Sequence, residues 1–239
     1  MKASIFIPCF IDQLYPQTGM NMVKVLRKAG VEIDYPREQT CCGQPAYNAG
    51  YKSQAKEVCA KFINDFSGKD PIVVPSASCA GFIKNYYPKL FDNSSLHNEV
   101  KQLQKRVFEF SDFMVNVLKV EDVGAVLRTK AVYHDSCAAL RECGLKEEPR
   151  RLLAHVKDLE LVEMENNETC CGFGGTFAVK YEPISAAMAD QKTGYAQDTG
   201  AKVIVSTDVS CLMHLEGYIR HREIEMKTMH IADVLASGW

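Results

Sequence analysis

Short apolar runs alternate with longer stretches of helical period along this chain. "ASIFIP", "VEIDY" and "PIVVP" are β-branched and aromatic runs that predict strands over residues 3–8, 31–35 and 71–75. Between the first two, the pattern from about Tyr15 to Ala29 predicts a helix stopped by Gly30. Between the next two, Ala55, Cys59, Phe62, Ile63 and Phe66 share one face of a helix within "NAGYKSQAKEVCAKFINDF". The order then repeats. "KAVYH", "LELVEM" and "KVIVS" predict strands at 130–134, 159–164 and 202–206, with helices in "EPRRLLAHV" and "EPISAAMADQKTGYAQD". The stretch 107–127, "VFEFSDFMVNVLKVEDVGAVL", reads as one amphipathic helix that joins the two halves, its Met and Phe side chains in the core. Strands alternating with helices predict an α/β fold with parallel sheets, built as two tandem Rossmann-like βαβ repeats.

The repetition extends to the cysteines. "TCCGQPAYNAG" begins at Thr40 and "TCCGFGGTFAV" at Thr169. Aligned on Cys-Cys-Gly, Cys9 meets Cys137, Cys41 and Cys42 meet Cys170 and Cys171, Gly43 meets Gly172, and Cys79 meets Cys211. The first gap is 32 positions in one half and 33 in the other; the second is 37 and 40. Eight of the ten cysteines are matched in this way, and only Cys59 and Cys143 are not. Such agreement is the mark of an internal duplication. It predicts one cysteine-rich repeat over 1–126 and a second over 127–239, related by that duplication. Each matched cysteine follows a predicted strand. In a parallel sheet those loops open on one edge, where α/β proteins bind their ligands. Each repeat is thus expected to gather four thiols at the carboxyl edge of its sheet, the two edges facing a shared cleft.

Bulk properties narrow the setting. A length of 239 residues with 46% hydrophobic and 24% charged residues is that of an ordinary globular protein. A net charge of −2 gives no basis for nucleic-acid binding. No apolar run has the length of a transmembrane segment. "MKASIFIPCF" reads as a first strand and not as a signal peptide, so the thiols are expected to be reduced and the protein cytoplasmic.

Four convergent thiolates are a soft ligand set, suited to zinc or to an iron–sulfur cluster. Buried structural thiols are the plainer reading, and a duplicated four-cysteine pattern argues against it. Zinc sites favour Cys-x₂₋₄-Cys pairs, whereas adjacent cysteines suit a larger cluster that each can bind at a different iron. A cluster is preferred, with zinc left open at one repeat. "CGFGGTF" is not a dinucleotide fingerprint. Gly172, Gly174 and Gly175 are instead expected to bring backbone N–H groups close to a cluster. His134 and Asp135 beside Cys137 form either a proton-handling pair or, as preferred, a helix cap by Asp135 or Ser136. Cys59 and Cys143 read as plain thiols.

Taken together, Cys9, Cys41-Cys42-Gly43, Cys79 and their second-half counterparts resemble the cysteine-rich (CCG) domain family. That family includes the B subunit of heterodisulfide reductase and the iron–sulfur subunit of glycolate oxidase. "IFIPCFIDQLYPQTGMNMVKVLRKAG", "CCGQPAYNAG" and "PSASCAGFIKNYYPKLF" resemble the lactate-utilization protein A family in particular, and the likeness covers nearly the whole chain. The resemblance implies an iron–sulfur oxidoreductase component of L-lactate (2-hydroxy acid) oxidation to pyruvate. Its partners would be an iron–sulfur protein B and a third protein C. It implies metal ligation by Cys9, Cys41, Cys42, Cys79, Cys137, Cys170, Cys171 and Cys211, with Gly43 and Gly172 beside the cofactor. The heterodisulfide reductase branch carries a further cysteine in a final Cys-x-x-Cys. Here Cys79 is followed by Ala80-Gly81-Phe82 and Cys211 by Leu212-Met213-His214. Four cysteines per repeat suffice for a [4Fe-4S] cluster, one or two in the chain. His214 holds the place of the missing cysteine, either as a ligand or, more simply, packed on a helix. Two alternatives stay open: a thiol–disulfide enzyme of the heterodisulfide reductase kind, and a zinc-bearing, non-redox binding module.

Overall fold

The computed structural model describes residues 1–239. The first sheet consists of β1 (Lys2–Ile5), β2 (Glu32–Asp34), β3 (Ile72–Val74) and β4 (Val107–Glu109), in the order β2-β1-β3-β4. The second consists of β5 (Val126–Tyr133), β6 (Lys157–Val162), β7 (Val203–Ser206) and β8 (Lys227–His230), in the order β6-β5-β7-β8. All six strand pairings are parallel. The two sheets have one topology, as an internal duplication requires, and the α/β reading holds.

Alternation along the strands decides what each face covers. Ala3, Ile5 and Val73 of the first sheet and Ala131, Tyr133, Val203 and Val205 of the second belong to one core of 24 buried residues shared by both repeats. The intervening residues point the other way. Ile72 and Val74 join Phe6, Phe62 and Phe82 in a core private to the first repeat. Val132 and Ile204 join Ala189, Leu215 and Ile219 in a core private to the second. Central parallel strands buried on both faces explain the continuous apolar runs "IVV" and "VIVS".

One expectation is corrected. Residues 107–127 are not a single helix. Val107–Glu109 is the edge strand β4, and the chain then turns into a short helix, Phe110–Asp112, followed by a π-helical segment, Phe113–Leu118. Lys119, at φ 58°, ends the segment, and β5 begins at Val126. The strand-to-helix turn is made by Glu109, whose buried carboxylate accepts hydrogen bonds from the Ser111 and Asp112 amides (2.7 and 3.3 Å). His230 does the same after β8, with Nδ1 accepting from the Ala232 amide at 3.1 Å. The other half of the expectation stands: Phe110, Phe113, Met114 and Val115 lie in the shared core between the repeats.

Candidate metal centre

Each matched cysteine sits just beyond the carboxyl end of a strand. After β1, Pro8 leads into the helix Cys9–Leu14, so Cys9 is its first residue. After β3, Ser76 caps the helix Ala77–Asn85 by accepting from the Cys79 amide, which places Cys79 in the first turn. After β7, Asp208 caps Val209–His221 and places Cys211 likewise. Cys41-Cys42 and Cys170-Cys171 lie on the loops after β2 and β6.

These loops bring the thiols together. Cys9 Sγ lies 3.9 Å from Cys41 Sγ, and Cys42 Sγ lies 3.4 Å from Cys79 Sγ. In the second repeat the sulfurs of Cys171 and Cys211 lie within 4.8 Å of each other. All ten cysteines are free. Cys42, Cys79, Cys171 and Cys211 are buried, and Cys9, Cys41, Cys137 and Cys170 are half-buried. Hydrogen bonds from Cys42 and Cys9 hold the Cys41 thiol well below its ordinary range; those from Cys137 and Cys171 do the same for Cys170. Their neighbours Cys9, Cys42, Cys137 and Cys171 are pushed up, first by those same shared hydrogen bonds and then by burial. One thiolate thus gathers the protons of its neighbours, and a soft cation is the natural replacement for those protons. Convergent free thiols of this kind fit a thiolate-bound metal group.

Gly43 and Gly172 adopt left-handed backbone, φ 88° and 96°. Their amides point at Cys41 Sγ and Cys170 Sγ, each at 3.4 Å. The close approach on their other side is to protein. A Cβ on Gly43 would lie 2.8 Å from Cys59 Sγ and 3.2 Å from the Ala55 carbonyl oxygen, and one on Gly172 would lie 2.6 Å from the Ser185 carbonyl oxygen. The glycine therefore lets the helix after each Cys-Cys-Gly loop dock against it. Around Gly174 the atoms nearest a Cβ belong to Phe177, and around Gly175 there is nothing within 4 Å.

Asp135 is fully buried and held by both terminal nitrogens of Arg150 (2.9 and 2.7 Å), while Ser136 caps the following turn through the Ala139 amide at 3.2 Å. The cap reading is right for Ser136, and Asp135 serves an ion pair. His214 Nε2 is bonded to Ser185 Oγ at 3.2 Å, and Ser185 Oγ donates to the Gly172 carbonyl at 2.8 Å, so this histidine braces the loop. Cys59 donates to the Cys42 carbonyl at 3.5 Å, which also accepts from Tyr87 Oη at 2.8 Å. Cys143 donates to the Ala77 carbonyl at 3.4 Å. Burial pushes both thiols up to about 12, as plain protonated side chains.

The two cysteine-bearing edges face each other. Phe10, next to Cys9, meets Phe173, near Cys171, edge to face at 5.9 Å. Asp208 reaches across from the second repeat and accepts from the Ser78 amide at 2.8 Å. Sequence reasoning missed Asp208, Arg150, Ser185 and Lys192. Asp208 carried a signal, since it aligns with the capping residue Ser76 three positions before a matched cysteine.

Known proteins share the pattern. The family model "CCG: Cysteine-rich domain" matches residues 3–84 and again 131–216. Lactate utilization protein A of Geobacillus kaustophilus (strain HTA426) is 44% identical over 235 residues, covering 98% of each chain. The protein of the same name from Bacillus subtilis (strain 168) is 43% identical over 238 residues, covering 99% of this chain and 100% of that one. The fold is shared with a hypothetical protein from Helicobacter pylori, whose crystal structure superposes with a TM-score of 0.61 at 10% identity. That likeness covers 100% of this chain and 49% of the other. No helix is long and apolar enough to cross a membrane. With two matched copies of the domain and full-length relatives at this identity, the chain belongs to the cysteine-rich CCG-domain family, among the lactate utilization A proteins.

Proposed function

We propose that this chain is a cytoplasmic iron–sulfur redox component of an L-lactate oxidation system, acting with an iron–sulfur protein B and a third protein C. Repeats over 1–126 and 127–239 each supply one ligand set: Cys9, Cys41, Cys42 and Cys79, then Cys137, Cys170, Cys171 and Cys211. The observation that carries this reading is the close approach of free thiols at each sheet edge: Cys9 with Cys41 at 3.9 Å and Cys42 with Cys79 at 3.4 Å in the first repeat, and Cys171 with Cys211 within 4.8 Å in the second. The names of the relatives supply the substrate class. A bound [4Fe-4S] group would supply one-electron transfer, its potential set by thiolate ligation, burial and hydrogen bonds to sulfur. The chain's own contribution is to hold the thiolates, donate the Gly43 and Gly172 amides to Cys41 and Cys170, and shield the inner thiols from water. Lactate oxidation releases two electrons, so coupling to the partners or to a second site is required.

One observation favours zinc as a second reading. Thiolates around a tetrahedral zinc stand about 3.8 Å apart, given Zn–S bonds of about 2.3 Å. Two pairs in the first set, Cys9 with Cys41 at 3.9 Å and Cys42 with Cys79 at 3.4 Å, are of that size. Anaerobic purification followed by iron, zinc and acid-labile sulfide analysis separates the two. Iron and sulfide in equal amounts, with an EPR spectrum altered by Cys41→Ser or Cys170→Ser, support the redox reading. Stoichiometric zinc, with no EPR signal even after reconstitution with iron and sulfide, overturns it.

A further inference from the structure

The two thiol sets have different backing. Behind Cys42, the rings of Phe6 and Phe62 meet edge to face at 4.8 Å within the private core of the first repeat. Phe6 stands three positions before Cys9, and His134 three before Cys137. Phe62 stands seven positions after Ala55, the residue whose carbonyl faces Gly43; Lys192 stands seven after Ser185, whose carbonyl faces Gly172. An apolar aromatic pair in one repeat is therefore an imidazole and an ammonium in the other. Both His134 and Lys192 are fully buried.

Lys192 is accounted for: Nζ donates to the carbonyls of Asn166 and Asn167 at 2.8 and 3.0 Å. His134 is not. Neither ring nitrogen has a hydrogen-bond partner. The neighbouring carboxylate, Asp135, is taken by Arg150. A buried polar side chain with no partner is rare in native proteins and marks a missing ion or water. The ligand atoms of His134, Cys171 and Cys211 all lie within 4.8 Å of one another. The corresponding trio in the first repeat, Phe6, Cys42 and Cys79, offers two donors and a hydrocarbon ring.

We infer that an imidazole nitrogen of His134 ligates the metal held by the second thiol set, so that the two repeats carry chemically different centres. The first is thiolate-only; the second is a mixed nitrogen–thiolate site with Lys192 beside it. A neutral nitrogen ligand and a buried ammonium both make the second centre less negative, and net charge is one of the levers on a centre's potential. The duplication thus yields two unequal centres instead of two copies of one. The inference rests on the iron–sulfur reading above.

The test uses the full chain, reconstituted anaerobically with iron and sulfide, reduced, and examined by pulsed EPR with natural-abundance and ¹⁵N-labelled histidine. The expected result is a hyperfine coupling to a directly bound nitrogen that changes on labelling. The coupling should disappear in His134→Phe, which copies the first repeat, and persist in His214→Phe. The labelled wild-type measurement needs no variant to fold. A second thiol set that binds iron, as judged by loss of that iron in Cys170→Ser, but shows no nitrogen coupling would overturn the inference alone. So would a coupling that survives His134→Phe. Failure of the second thiol set alone to take up iron and sulfide would overturn the inference, and failure of both sets would remove the iron–sulfur reading with it.

Discussion

Gly81 and Glu142 belong to different repeats and approach so closely that a Cβ on Gly81 would lie 2.5 Å from the Cβ of Glu142. Gly81 lies inside the helix Ala77–Asn85 that carries Cys79, and Glu142 lies in the π-helical segment Ala139–Cys143 that follows Cys137. The contact is sealed by Asn85 Nδ2, which donates to the Glu142 carbonyl and carboxylate at 2.8 and 2.9 Å. In an isolated helix Gly81→Ala would stabilise by about 1 kcal/mol. Here the overlap should reverse the sign, at a cost of roughly 1–3 kcal/mol. Thermal unfolding of the variant should begin lower, by about 2–4 °C per kcal/mol for a chain of this size. A Gly81→Ala variant as stable as the parent would show that the two repeats do not dock through this helix.

Asp208 joins the repeats at a second point. Its carboxylate accepts from the Ser78 amide and Oγ across the interface, and from Ser210 in its own helix (Oγ at 2.7 Å). Asp208→Ala removes a cap worth about 1 kcal/mol. It also leaves the Ser78 amide without a partner, at a further cost of roughly 1–3 kcal/mol. Asp208→Asn keeps an acceptor oxygen and should lose much less. Chemical denaturation of the pair checks this: equal losses in the two variants would mean that the acceptor oxygen does not matter.

The strands, the alternation and the duplicated cysteine edge were legible because they follow from period-2 hydrophobicity and from matched spacing. Strand order likewise explains why Cys9 approaches Cys41 and Cys42 approaches Cys79 in the first repeat, and Cys171 approaches Cys211 in the second. The stretch 107–127 misled because a buried edge strand of three residues, a cap and a π-helical segment in sequence leave an apolar pattern of helical average period. Glu109 carries the turn, yet a buried carboxylate that caps two amides looks in sequence like any polar position on a helix. The difference between Phe6 with Phe62 and His134 with Lys192 was open to view in the aligned repeats, but its meaning needs the burial that only the fold supplies.

Glu109 gives stability a pH dependence of its own. Burial pushes its carboxyl up to about 8 from 4.5, against the pull of the Ser111 and Asp112 amides; the nearby Asp112 charge adds to the rise, and Tyr133 and Cys143 are the titratable groups that sense it. Between these two values the folded state binds the proton more tightly than the unfolded chain. Its contribution is therefore complete below pH 4.5 and is lost as pH rises through 8. Glu109→Gln keeps an acceptor for the amides and carries no charge. It should flatten the fall in stability across this window and be more stable than the parent above pH 8. Parallel urea titrations at several pH values decide it; an unchanged slope in the variant would mean that Glu109 ionises normally in the folded protein.

The two Cys-Cys-Gly glycines should differ in what they tolerate. Alanine at either position must adopt φ near +90°, which costs about 1–2 kcal/mol before any contact is made. At Gly172 the new methyl also meets the Ser185 carbonyl at 2.6 Å and Met188 Cβ at 2.9 Å. Backbone inside the helix Glu182–Asp198 cannot step aside, so a further 1–3 kcal/mol is expected, roughly, from overpacking. At Gly43 the nearest atom is Cys59 Sγ at 2.8 Å, a side chain that can be shortened. Cys59→Ala alone removes a buried sulfur and destabilises, yet it also clears the space that Gly43→Ala needs. The double variant should therefore lose less than the sum of the two single changes, a coupling of the size seen between residues in contact, about 0.5–3 kcal/mol. No such rescue is open to Gly172→Ala, because Ala189 already occupies the position that matches Cys59. A thermal-unfolding cycle over Gly43→Ala and Cys59→Ala reads the coupling directly. Strict additivity would mean that the methyl is accommodated elsewhere, and that the glycine is required for its backbone angle alone.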